Sequence, residues 1–132
     1  MNKHVIALAL AALASGGASA PASDTLAKIK SKGEITLGTR DSSGALAFTI
    51  GDGKYVGFHT EMAEKIAADI GKQLALPKLT VNKQLVTSQN RIPLVVNGTV
   101  NIESGTTTNN ATRHKNETFA NTTKEKKMHN TN

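Results

Sequence analysis

The sequence contains no cysteine and no tryptophan, and its aromatic side chains are one tyrosine and three phenylalanines. Without cysteine there is neither a disulfide nor a thiolate metal site, and the composition fits any redox compartment. A core built with so few rings must be aliphatic. The formal charge of +6 does not carry a nucleic-acid reading, because Lys124, Lys126 and Lys127 form one C-terminal run and the other bases are spread thinly. No basic stripe is interleaved with stacking aromatics, so no nucleic-acid partner is expected. The four histidines have no metal-ligand spacing, and His114 reads as a solvated neighbour of Arg113. Gly51, Gly53 and Gly57 lack the spacing of a dinucleotide loop, and no phosphate-loop pattern is present. Neither metal nor cofactor is expected.

The 132 residues allow one domain. Lys3 and His4 precede an uninterrupted apolar run from Val5 to Ala14, followed by small residues through Ala20. That three-part build reads as a secretory signal peptide over residues 1–22, with cleavage open between Ala18, Ala20 and Ala22. The run is shorter than the roughly 20 apolar residues a membrane-spanning helix needs. Beyond Ala22 no segment is long and apolar enough to cross a bilayer, so an exported chain of roughly 110 residues with one modest core is expected.

From there the pattern alternates. Ser23 or Asp24 can cap a short helix ending near Gly33, and Glu34 to Arg40 reads as a strand with Ile35 and Leu37 on one face. Leu46–Ile50 and Lys54–Val56 flank Gly51-Asp52-Gly53 and predict a hairpin. Met62, Ala63, Ile66, Ala67, Ile70 and Leu74 fall at helical spacing between Thr60 and Leu74, before Pro77. Leu79, Val81 and Leu85 predict a second strand, with Lys83 out of pattern for a buried position. A helix is expected over Ser88–Asn97, with Pro93 in its first turn and Gly98 as its stop, and a third strand over Val100–Ser104. The alternation argues an α/β layer on a mainly parallel sheet.

The stretch from Thr87 to Arg113 carries the chemistry. It sets two arginines among hydroxyl and amide side chains, with Glu103 the only acidic residue. Arg91 follows Ser88 by one helical turn, and Arg113 closes the cluster Thr106 to Asn110 behind the Gly105 break. Such a run is also the composition of a solvated loop. In parallel sheets, however, ligands sit at the carboxyl ends of strands, and there Arg40, Thr87-Ser88 and Gly105–Thr108 should meet. That convergence favours an anion site. A planar guanidinium meets a carboxylate through two parallel N–H donors where lysine offers a point charge, and Arg40, Arg91 and Arg113 are the only arginines.

GTRDSSGALAF, DGKYVGFHTEMAEKI, TSQNRIPLVVNGT and the Gly-Thr-Thr-Thr-Asn-Asn run before Arg113 together resemble the periplasmic substrate-binding proteins of ABC amino-acid importers, specifically the glutamate/aspartate type. The resemblance covers about Thr25 to Thr123. It implies the first α/β lobe of a type II, two-lobe binding protein over residues 23–120, monomeric, periplasmic and not an enzyme, binding an acidic amino acid for a membrane permease. It further implies that Arg113 takes the α-carboxylate with Thr106 and Thr108 beside it, and that Arg40, Ser88 and Arg91 hold the distal carboxylate.

Thr106 stands where related proteins often carry serine, and Ser104 where many carry cysteine. Residues 121–132 leave the family pattern and read as a disordered tail. The expectation is a form truncated before the hinge and second lobe, marginally folded and binding glutamate weakly or not at all. The alternative from another class is a dehydratase-like periplasmic enzyme on the same scaffold. It would need a general acid, for which Glu103, expected to face a neighbouring loop, is the only nearby carboxylate. A sensor domain would need a membrane segment.

Overall fold

The computed structural model describes residues 22–120. The expected leader, apart from its last residue, and the expected tail at 121–132 lie outside the described residues.

Helix α1, Ala22–Lys32, places Asp24 in its first turn and Lys30 and Lys32 in its last, each complementing the helix dipole. An exposed ion pair joins Lys28 to Asp24 one turn away at 2.7 Å. Gly33, at φ 67°, ends the helix by donating its N–H to the Ile29 carbonyl at 2.9 Å. Strand β1, Glu34–Thr39, follows at once. Ile35 and Leu37 point to one face and are essentially without solvent contact. They pack with Ile29 of α1 and with Ala63 and Ala67 of helix α2, Phe58–Gln73, in one aliphatic cluster edged by Ile70, Leu74, Leu79 and Ile102. Ile66 belongs to the same helical stripe by spacing, yet it lies 40 % exposed, beside the contact rather than in it.

The hairpin is present but shorter than the sequence predicts. Its strands β2, Phe48–Thr49, and β3, Tyr55–Val56, pair antiparallel across a turn in which Gly51, Asp52 and Gly53 all take positive φ. The three residues Gly44–Leu46 make a 3₁₀ turn instead of extending the first strand.

β1 is the centre of a parallel sheet of order β4-β1-β5, where β4 is Thr80–Leu85 and β5 is Ile102–Glu103. β4 ends the order among the described residues and all six of its residues are exposed, which removes the difficulty of Lys83, whose ammonium pairs with Glu64 of α2. Helix α3 spans only Arg91–Val96 against the Ser88–Asn97 expected. Residues 87–90 form a turn instead, closed when the Thr87 N–H donates to Asn90 Oδ1 at 2.7 Å and the Asn90 N–H to Thr87 Oγ1 at 3.3 Å. Such local side-chain bonds compete with the first helical turn. Pro93 is third in α3, within the first turn as predicted. β5 falls short of Val100–Ser104: Asn101 donates its N–H to the Thr36 carbonyl at 2.9 Å, but its Oδ1 takes the Thr36 N–H at 2.8 Å where a main-chain carbonyl would stand.

Candidate anion-binding site at the carboxyl rim of the sheet

Because β4, β1 and β5 run parallel, their carboxyl ends open on one rim. The Val86 N–H donates to the Thr39 carbonyl at 2.8 Å, carrying the β4–β1 ladder one step past Leu85 and leaving Thr87 and Ser88 on the exposed edge. Arg40, the next residue of β1's chain, donates from Nη1 to Ser88 Oγ at 3.1 Å. This brings together two residues 48 positions apart. The expected pairing of Ser88 with Arg91 on one helical face is corrected, since Ser88 lies in the turn before α3 and its hydroxyl serves Arg40.

Arg91 opens α3 and is 7 % exposed. Its Nη1 lies 3.9 Å from Glu103 Oε1 at the end of β5, too long for a hydrogen bond but close enough for an ion pair. Glu103 Oε2 accepts a hydrogen bond from Thr107 Oγ1 at 2.8 Å. Glu103 thus faces the following loop, as expected, and also faces Arg91, which the sequence did not suggest. A Cβ on Gly105 would meet Glu103 Oε1, so the glycine leaves that carboxylate room to lie where it does. Among the described residues, Arg40 Nε, Arg91 Nε, Arg91 Nη1 and Glu103 Oε1 are buried without a hydrogen-bond partner.

Thr106 and Thr108 are exposed on the same loop, and Thr107, between them, is the one turned toward Glu103. Arg113 starts a 3₁₀ turn, Arg113–Lys115, held where its N–H donates to Asn110 Oδ1 at 3.0 Å. Its Nη1 donates to the Thr108 carbonyl at 2.8 Å, so the guanidinium is tethered to the threonine loop. His114 is exposed, as expected, but is not merely solvated: it lies 2.6 Å from Asn109 Oδ1 and its ring packs against Phe119.

Sequence reading missed Glu117. Its carboxyl is pushed above the ordinary glutamate pKa by burial first and by the charge of Glu103 second, while Arg113, Arg91 and His114 pull the other way. These influences place Glu117 within the field of the arginine cluster. A carboxyl whose pKa folding raises favours the folded state below its ordinary pKa, and that contribution is lost as pH rises through the folded-state value. Glu117→Gln is therefore expected to abolish one downward component of stability above the ordinary glutamate pKa. Thermal melts of both proteins between about pH 4 and pH 8 check this, with parallel profiles counting against it.

Arg40 with Ser88, and Arg91 with Glu103 and Thr107, set guanidinium and hydroxyl groups at the rim, with Arg113 tethered to the loop that follows. No group of acidic or histidine side chains among the described residues could hold a metal ion. Guanidinium and hydroxyl groups so placed can hold an anion.

Residues 35–130 match the family of bacterial extracellular solute-binding proteins, family 3. The chain is 48 % identical over 97 residues to the L-glutamate/L-aspartate-binding protein of Pseudomonas aeruginosa, covering 73 % of this chain and 32 % of that protein. It is 42 % identical over 120 residues to the glutamate/aspartate import solute-binding protein of Escherichia coli, covering 89 % and 40 %. The chain therefore spans about a third to two fifths of the length of these curated relatives, whose names are those of binding proteins. Among solved structures, the L-cysteine solute receptor of Neisseria gonorrhoeae superposes with a TM-score of 0.62 at 27 % identity, covering 73 % of this chain and 37 % of that one. An ancestral amino-acid-binding protein, a precursor of cyclohexadienyl dehydratase, superposes with a TM-score of 0.60 at 25 % identity, over 69 % and 37 %. The described residues form part of an α/β lobe of the type II periplasmic binding-protein fold, and the chain belongs to the family 3 bacterial extracellular solute-binding proteins.

Proposed function

We propose that this rim binds an acidic amino acid, glutamate or aspartate, in the periplasm for delivery to the membrane permease of an ABC importer. In this reading Arg113 meets the α-carboxylate with Thr106 and Thr108 beside it, and Arg40, Ser88 and Arg91 hold the distal carboxylate. The observation that carries it is Arg91. A guanidinium 7 % exposed, with Nε and Nη1 lacking hydrogen-bond acceptors, is expensive unless something supplies them. A ligand carboxylate seated between Arg91 and Arg40 would be such an acceptor once the atoms covering these nitrogens give way, and Arg40 Nε has the same need. The two curated relatives, named for glutamate and aspartate, support the same ligand class. Glu103 does not supply the acid that the enzyme alternative needs, because it is held by Thr107 and paired with Arg91.

The described site is open on the side of Ser88, Thr106 and Thr108, so a bound carboxylate stays partly hydrated and each charge pair is weakened by water. Calorimetric titration of the chain is expected to give a Kd on the order of 1 mM for glutamate. Glutamine lacks the distal charge and should bind at least about tenfold more weakly, and lysine should not bind. Equal affinity for glutamine and glutamate, or a preference for lysine, would refute the reading.

A further inference from the structure

We propose that Glu103 is a positioning residue that joins the two halves of the anion site and lowers its positive charge. This rests on the reading of the rim as a site for acidic amino acids. One carboxylate touches both sides of that site. Through Oε1 it faces Arg91, assigned to the distal carboxylate. Through Oε2 it accepts from Thr107, between the two threonines assigned to the α-carboxylate. The backbone makes room for it: Glu103 lies opposite Gly38 in the β1–β5 register, and Gly105 leaves open the space its Oε1 fills. Its side chain is 11 % exposed and that of Arg91 9 %, so little water screens the pair.

Two consequences follow from placing a negative charge inside an anion site. Coulomb attraction restrains the long Arg91 side chain without occupying its Nε or Nη1 in a hydrogen bond, so both buried nitrogens keep their donor capacity unspent. Glu103 also offsets part of the charge of the three guanidinium groups, with Glu117 nearby as a second carboxyl, so the rim is less positive than its arginines alone would make it. With Glu103 neutralised, the arginines would attract any compact anion more strongly and discriminate less by geometry.

The test uses the full chain, ¹⁵N-labelled, as wild type, Glu103→Gln and Thr107→Val, each titrated with glutamate and with sulfate. The Nε–Hε signals of the arginines, assigned by Arg→Lys substitution, are followed throughout. In Glu103→Gln the Arg91 signal is expected to move before any ligand is added. The ratio of glutamate to sulfate affinity should fall by about tenfold or more, the scale of one charge-assisted contact. Thr107→Val keeps the charge but frees the carboxylate, so the Arg91 signal should move again while sulfate affinity holds. An Arg91 signal unmoved in Glu103→Gln, or an unchanged affinity ratio, overturns the proposal. Should wild type bind no glutamate, the function proposed for the rim fails, and the ligand-free Arg91 signal decides the role of Glu103 by itself. Should Glu103→Gln fail to fold, Thr107→Val decides: a moved Arg91 signal supports the role and an unmoved one overturns it.

Discussion

The double variant Arg40→Met/Arg113→Met is expected to lose glutamate binding by a factor of about 10² to 10⁴, from two charge-assisted contacts contributing about 1.5–3 kcal/mol each. At millimolar affinity this appears as complete loss of a titration signal. Methionine keeps much of the aliphatic length of arginine and removes the charged fork, so the loss reports on the head group. Neither arginine belongs to the aliphatic cluster, and the bonds removed are Arg40 to Ser88 and Arg113 to the Thr108 carbonyl, both at exposed positions. The thermal midpoint should therefore move little. The single variants separate the two ends of the ligand: Arg113→Met should weaken glutamate and glutamine alike, and Arg40→Met should weaken glutamate while leaving glutamine nearly unaffected. A double variant that still titrates as wild type would exclude these guanidinium groups from the site.

The second large effect concerns the scaffold. Gly57→Ala is expected to destabilise the fold by about 3 kcal/mol or more, because two costs act at one position. Gly57 precedes α2 at φ 116° and ψ 167°, a region open essentially to glycine alone. A Cβ there would also lie 2.8 Å from the Leu46 carbonyl carbon and oxygen and 3.0 Å from the Ala45 oxygen, all main-chain atoms that cannot rotate away. Domain stabilities are of the order of 5–15 kcal/mol, so a marginal fold would be largely unfolded at 37 °C. Circular dichroism during urea titration measures it. A midpoint within error of wild type would show that the 3₁₀ turn at Gly44–Leu46 yields to admit the methyl group. Gly51→Ala is the contrast, since it also has positive φ but open space around the added carbon, so only the backbone cost applies.

How far the sequence spoke for itself varied with the range of the interaction. β1, the hairpin turn and α2 were legible because glycine position and apolar period act locally. The shortened α3 and β5 were not, since Thr87, Asn90 and Asn101 use side-chain oxygens in place of backbone partners, and an asparagine that does so looks like any other. The meeting of Arg40 with Ser88 followed from the parallel alternation alone. The pairing of Arg91 with Glu103 did not, as it depends on how two rim residues from different elements lean. Nor could three consecutive threonines show that the middle one turns toward the carboxylate. Glu117 left no trace at all, because its surroundings arise from a 3₁₀ turn folding back toward the arginines.

The order β4-β1-β5 also governs how the chain must assemble. The central strand has no neighbour until much later in the sequence: Glu34 waits for Thr80, and Leu37 for Ile102. Two long loops have to close before the sheet has three members, a topology associated with slow folding. The hairpin and α2 can form early, but until β5 arrives Ile35 and Leu37 sit on a strand with an uncovered side. Crossover length between β1 and its two partners is thus a determinant of folding rate, and insertions there should slow the search more than they weaken the finished fold.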